Sequence, residues 1–125
     1  MPRPTYNHEW ETVLAYDDRG EPVRSIAYWL QVEHGQCVRF AVALRIRSGP
    51  NDKLRDIVRY DDFRGFHRHA PGFPPNREHD WIAVPPGGEF AFIKADLAKH
   101  TDRYERESRA SGFEVAEDDE PETDP

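Results

Sequence analysis

From Val38 to Arg47 the chain alternates without a break, with Val38, Phe40, Val42, Leu44 and Ile46 set against Arg39, Ala41, Ala43, Arg45 and Arg47. A period of two sends those sets to opposite faces of a pleated strand, whereas a helix would scatter them around its circumference. One face of the resulting sheet must therefore be covered. Neighbouring segments repeat the pattern. Val23–Glu33 carries Ile26, Tyr28, Leu30 and Val32 on one face, Glu11–Asp17 carries Val13, Leu14 and Tyr16, and Leu54–Asp61 reads as another strand. Turn residues separate them at Asp17-Asp18-Arg19-Gly20, at His34-Gly35-Gln36 and at Ser48-Gly49-Pro50-Asn51-Asp52. Strands joined by such short turns form an antiparallel meander.

Beyond a Pro-rich section, Ala70–Gly88, with a short strand expected at Trp81–Val84, the period changes. Residues Glu89–Ser108 predict a helix with Phe90, Ile93, Leu97 and Tyr104 on one stripe and Lys94, Asp96, Lys99, Asp102 and Arg103 facing away. Gly112 marks its end. The fold expected is α+β: an antiparallel four- to five-stranded meander sheet with one C-terminal helix packed on its apolar face.

Requiring apolar residues to pair sets the registers. A three-residue loop at His34–Gln36 pairs Val32 with Val38, Leu30 with Phe40, Tyr28 with Val42 and Ile26 with Leu44. A loop over Gly49–Lys53 pairs Leu44 with Val58 and Val42 with Tyr60. The outward face then has one row of Trp29, Ala41 and Asp61, and another of Ala27, Ala43 and Arg59. The alanines predict a shallow trough flanked by an indole and an Arg/Asp pair.

A chain of 125 residues makes one domain with a modest core. Its charge is uneven. Seven of the 24 acids lie between Glu114 and Asp124, so the remaining 17 balance the 17 basic residues. Residues 1–113 are expected to form a neutral body, and the net charge of −7 falls in a disordered acidic tail over residues 114–125. The lone Cys37 cannot make an intrachain disulfide, and no apolar run is long enough for a signal peptide or membrane span. A soluble, cytoplasmic protein is the expectation.

The chemistry concentrates in Arg59-Tyr60-Asp61-Asp62-Phe63-Arg64-Gly65-Phe66-His67-Arg68-His69. Arg59 and Asp61 share a strand face, either as an anion site or as a plain ion pair. If His67-Arg68-His69 is extended, both imidazoles point one way, roughly 6–7 Å apart, and can flank one phosphate. One neutral and one protonated ring would supply the base and acid for attack by a ribose 2′-hydroxyl, with Arg59, Arg64 or Arg68 steadying the charge on phosphorus. That scheme needs no metal or other cofactor. A metal centre of His67, His69 and His79 with Glu78 or Asp80 competes with it, although the surrounding arginines would repel a cation. A third reading gives the histidines no special role. Trp29 is a candidate for stacking on a base, or for burial under another element. His8, His34 and His100 read as structural or exposed, and no phosphate-binding loop, dinucleotide fingerprint or zinc-finger spacing occurs.

The Arg59-Tyr60-Asp61-Asp62 segment, Gly65 and His67-Arg68-His69, placed after strands and before a helix, resemble the TumE-type toxins of bacterial toxin–antitoxin pairs, and equally some uncharacterised small domains with an Arg-Tyr-Asp…His-Arg pattern. The resemblance covers about residues 38–105. Asp62 stands where that family has asparagine. The resemblance implies a small cytoplasmic ribonuclease inhibited by a helix-turn-helix antitoxin. It also implies a site of His67, His69 and Asp61 with Arg59 and Arg68 as phosphate ligands. Arg39, Arg45 and Arg47 lie outward on the same sheet, where they would track an RNA backbone. The rival expectation is a non-enzymatic binding or accessory domain that docks a protein partner on this face.

Overall fold

The computed structural model describes residues 6–49, 51–63, 65–71, 80–112 and 114–115. Strands β1 (His8–Tyr16), β2 (Pro22–Glu33), β3 (Gln36–Arg47), β4 (Leu54–Asp61), β5 (His67–His69) and β6 (Asp80–Trp81) precede one helix, α1 (Glu89–Ser111). The strands pair antiparallel in sequence order, as an open meander. The α+β class, the meander and the C-terminal helix are as the sequence predicts. The two shortest strands depart from expectation. The extended stretch His67–His69 is a paired strand, β5, and β6 occupies Asp80–Trp81 rather than Trp81–Val84.

Pairing follows the apolar pattern. Leu30 faces Phe40, Tyr28 faces Val42 and Ile26 faces Leu44, and on the far side of β3 Leu44 faces Val58 and Val42 faces Tyr60. One expected pair is corrected: Val32 lies opposite Cys37, not Val38. The turn is shorter than the three-residue loop proposed. His34 and Gly35, at φ 53° and 78°, join Glu33 to Gln36 in the tight hairpin geometry that needs two left-handed residues. The surplus residue bulges out, and Val38 is exposed. A second bulge between Leu44 and Arg45 lets Ile57 enter the core beside Val58.

Phe40, Val42, Leu44, Ile46, Ile57, Val58 and Tyr60 form the inner face, and Ile93, Leu97 and Tyr104 of α1 close over them. Asp96, expected to face away, is buried on this side. Its Oδ2 accepts hydrogen bonds from Tyr60 at 2.5 Å, Tyr104 at 2.6 Å and Arg68 at 3.0 Å. A carboxylate taken out of water needs such compensation, and here it ties the helix to β4 and β5. Burial and the hydrogen bond to Asp96 raise the proton affinity of both phenols. Phe90, placed on the apolar stripe, packs at 4.8 Å on Phe40 yet stays partly exposed.

The body extends slightly past its expected end. Val115 is buried and its N–H donates to the Asp56 carbonyl at 2.9 Å, while Glu114 pairs with Arg55 at 3.0 Å. The rest of the acidic tail lies outside the described residues. None of the described helices is long and apolar enough to cross a membrane.

Candidate functional site

The outward face is built from two parallel rows that cross the sheet. In one, ladder pairing carries Glu9 to Trp29, Ala41, Asp61, His67 and Trp81 in turn. In the other it carries Glu11 to Ala27, Ala43, Arg59 and His69. Both three-residue rows anticipated from the sequence are present, and β5 adds a histidine to each. Arg59 thus faces His69, and Asp61 faces His67. Directly opposed side chains on one face of a strand pair are in contact range, so the four residues form a compact square.

Asp61 holds two sides of it. Its Oδ1 accepts from the Phe63 N–H at 2.6 Å, fixing the turn that leaves β4, and its Oδ2 accepts from Arg59 Nη2 at 3.4 Å. His67 Nδ1 lies 2.8 Å from the Gly65 carbonyl oxygen. That oxygen can only accept, so the proton sits on Nδ1 and, in the neutral ring, the lone pair is on Nε2. The two imidazoles meet edge to face with centroids 4.9 Å apart. Trp81 covers His67 from the next strand at 5.3 Å.

Two expectations change. The histidines touch one another instead of flanking a gap, because edge-to-face rings at this separation are in van der Waals contact. No phosphate fits between them. The square is also closed over: Asp61 and His67 are fully buried, His69 is 6% exposed and the Arg59 side chain 17%. Both ring nitrogens of His69 are buried, so an incoming group meets Arg59 first. The Arg59 Nε is buried and makes no hydrogen bond among the described residues, a feature that native proteins seldom leave without a use.

Arg68 does not join the site. Its neighbours His67 and His69 point outward, so the alternation of the strand sends Arg68 inward, beside Tyr60 and onto Asp96. Arg64, the other arginine assigned to phosphate, lies outside the described residues, as do His79 and Glu78 of the metal alternative. Among the described residues no three histidine, cysteine or acidic side chains are grouped to hold a metal ion.

The trough is filled. Trp29 has the guanidinium groups of Arg45 and Arg59 over its ring at 5.2 and 5.3 Å, and Ala27, Ala41 and Ala43 are buried. These contacts occupy the π-face that base stacking would use, and they fix Arg59 from the side opposite β5. Two outward arginines are engaged as well: Arg45 pairs with Asp56 at 2.7 Å and Glu11 at 3.6 Å, and Arg47 pairs with Asp17. Arg39 lies over Phe63 at 5.6 Å. Asp62, next in sequence to the square, serves the backbone: its Oδ1 accepts the Phe40 N–H at 3.0 Å, and burial raises its proton affinity.

Sequence reasoning had no means of finding Trp81 or the Gly65 carbonyl as parts of the site. Both are recruited by the pairing of β5, a strand too short to carry a pattern. The chain matches no known protein family, no curated protein and no solved structure.

Proposed function

We propose that this protein cleaves RNA without a metal ion at the Arg59–Asp61–His67–His69 square. The observation that supports the reading best is the placement of an arginine with an unsatisfied buried Nε directly across the strand pair from a histidine. Arg59 then binds the scissile phosphate and offsets the charge that builds up on it. His69 takes the proton from the 2′-hydroxyl as that oxygen attacks phosphorus, and returns it to the 5′-oxygen as the P–O5′ bond breaks, leaving a 2′,3′-cyclic phosphate and a 5′-hydroxyl end. Asp61 orients Arg59, and His67, enclosed beneath Trp81, sets the position of the His69 ring rather than touching substrate. With the Arg-Tyr-Asp…His-Arg-His resemblance, the reading extends to a toxin-type, cytoplasmic enzyme restrained by a helix-turn-helix antitoxin.

The closure of the square favours a second reading. A buried ion pair with two packed imidazoles also serves as a polar brace under a binding surface, and the protein is then an accessory domain that docks a partner. Induced expression separates the two. Wild type, His69→Ala and Arg59→Ala are compared for growth and total RNA, and the purified proteins for cleavage of an oligoribonucleotide in the presence of chelator. The ribonuclease reading expects growth arrest and RNA loss with wild type, and a fall in cleavage of about 10²–10⁴-fold in each variant with folding retained by circular dichroism. Equal growth and intact RNA in all three leave the binding domain.

A further inference from the structure

Two guanidinium groups cover the ring of Trp29, so a base finds no stacking surface on that side of the square. The other side differs. Trp81 ends the row that runs through Asp61 and His67, and it keeps 58% of its surface exposed. A single exposed apolar residue is ordinary on a protein surface. This one is held in place. His67 meets the indole at 5.3 Å with the rings inclined by 65°, and the six-membered ring lies against Gly65. A Cβ at Gly65 would come within 3.0 Å of Trp81 Cζ3, so glycine is what lets the backbone approach the indole. The ring is backed by the hairpin that carries both histidines, while more than half its surface faces solvent.

Position and rigidity select the ligand. Trp81 sits on β6, two strands from Arg59 and one two-residue step along, roughly 12 Å between backbone positions. His69 lies on the strand between them. An anion held by Arg59 and a flat ring stacked on Trp81 can therefore belong to one molecule. A nucleotide strand has that make-up, with a phosphate at each link and a π-face on each base. In a duplex those faces are taken up by neighbouring bases, so only an unpaired strand can present one to the indole. A ring already fixed in place loses little freedom on binding, which preserves the gain from stacking.

We infer that Trp81 is the platform on which a base of single-stranded RNA stacks while Arg59 holds a neighbouring phosphate. This assignment rests on the cleavage reading and adds the class of substrate to it: unpaired RNA, accepted with little regard to which base is present. Trp81 binds substrate and takes no part in proton transfer.

Two short probes of equal charge test it. One is a 2′-O-methyl oligouridylate, uncleavable because the attacking hydroxyl is blocked, and the other is the same backbone without bases. Fluorescence anisotropy at low salt gives both affinities for the full chain. Wild type should bind the base-bearing probe about tenfold more tightly, the size of one base–aromatic contact. Trp81→Leu, which keeps apolar cover over His67, should bind both probes as wild type binds the abasic one. Trp81→Phe should recover most of the preference. Once a complementary strand is annealed to the base-bearing probe, wild type and Trp81→Leu should bind it alike. A Trp81 that only braces His67 would, when changed, weaken both probes equally, and that result overturns the inference. So does a wild type without preference for bases, a Trp81→Leu protein that keeps it, or a duplex that Trp81→Leu binds more weakly. The cleavage reading survives these outcomes if Arg59→Ala weakens both probes. If wild type binds neither probe, both fall.

Discussion

Asp62 carries a carboxylate that the fold does not need in its charged form. Burial, outweighing the Phe40 N–H and the nearby Arg39, raises its proton affinity above the ordinary value of 3.8. Below that pH the group is protonated in both folded and unfolded chains and costs nothing. As pH rises, the unfolded chain ionises first, so stability falls through the window above 3.8 and stays reduced at neutral pH. An amide keeps the hydrogen bond from Phe40, since its oxygen accepts equally well. Asp62→Asn should therefore raise the melting temperature at pH 7, and the gain should vanish below about pH 3.8. Thermal melts of both proteins from pH 3 to 8 check it; a variant that is less stable at neutral pH overturns the account. Other residues were less open to reading in advance. Asp96 fell on the polar side of a helical wheel because the partners that draw it inward, Arg68 and Tyr60, lie 28 and 36 positions away. Hydrophobic periodicity carries no information about such a pair. Arg68 differs from expectation for a simpler reason: it adjoins two histidines in sequence, but the alternation of β5 sends it to the opposite face.

At the level of elements, legibility followed length. The twelve-residue strands β2 and β3 showed faces and register together, because one slip would have exposed every apolar side chain at once. The three residues of β5 offer no such redundancy. What places β5 is the turn before it. Gly65 has φ 122°, a conformation that side chains rarely adopt, and a Cβ added there would lie 3.0 Å from the Trp81 ring. Its carbonyl also accepts the His67 Nδ1 proton. Gly65→Ala should thus strain the hairpin and push Trp81 off His67, costing on the order of 1–3 kcal/mol. Urea unfolding gives the cost, and a shift in tryptophan emission reports Trp81. Unchanged emission and stability would show that the turn adapts freely and that β5 is positioned by something other than Gly65.

For the whole molecule, the separation of charge is the feature that bears on partners. The structured body is near neutrality, and its outward arginines are largely committed: Arg45 to Asp56, Arg47 to Asp17, and Arg59 to Asp61. Such a surface is a poor attractor of RNA unless an opposing charge can be withdrawn. Residues 116–125 contain six acids, and removing them changes the net charge from −7 to −1. The last described residue, Val115, donates its N–H to the carbonyl of Asp56, the ladder partner of Arg45. Ten further residues can reach at most about 35 Å, which spans this face. Truncation after Val115 keeps the Val115 and Glu114 contacts and so should leave the melting temperature unchanged. If the proposed RNA site is correct, the truncated protein should bind a fluorescent oligoribonucleotide severalfold more tightly at low salt, with the advantage shrinking as salt screens the tail. Anisotropy titrations at two ionic strengths measure both effects. A tail that only solubilises the body would leave affinity and salt slope the same in the two proteins, and the poor reach of this surface for RNA would then count against cleavage itself.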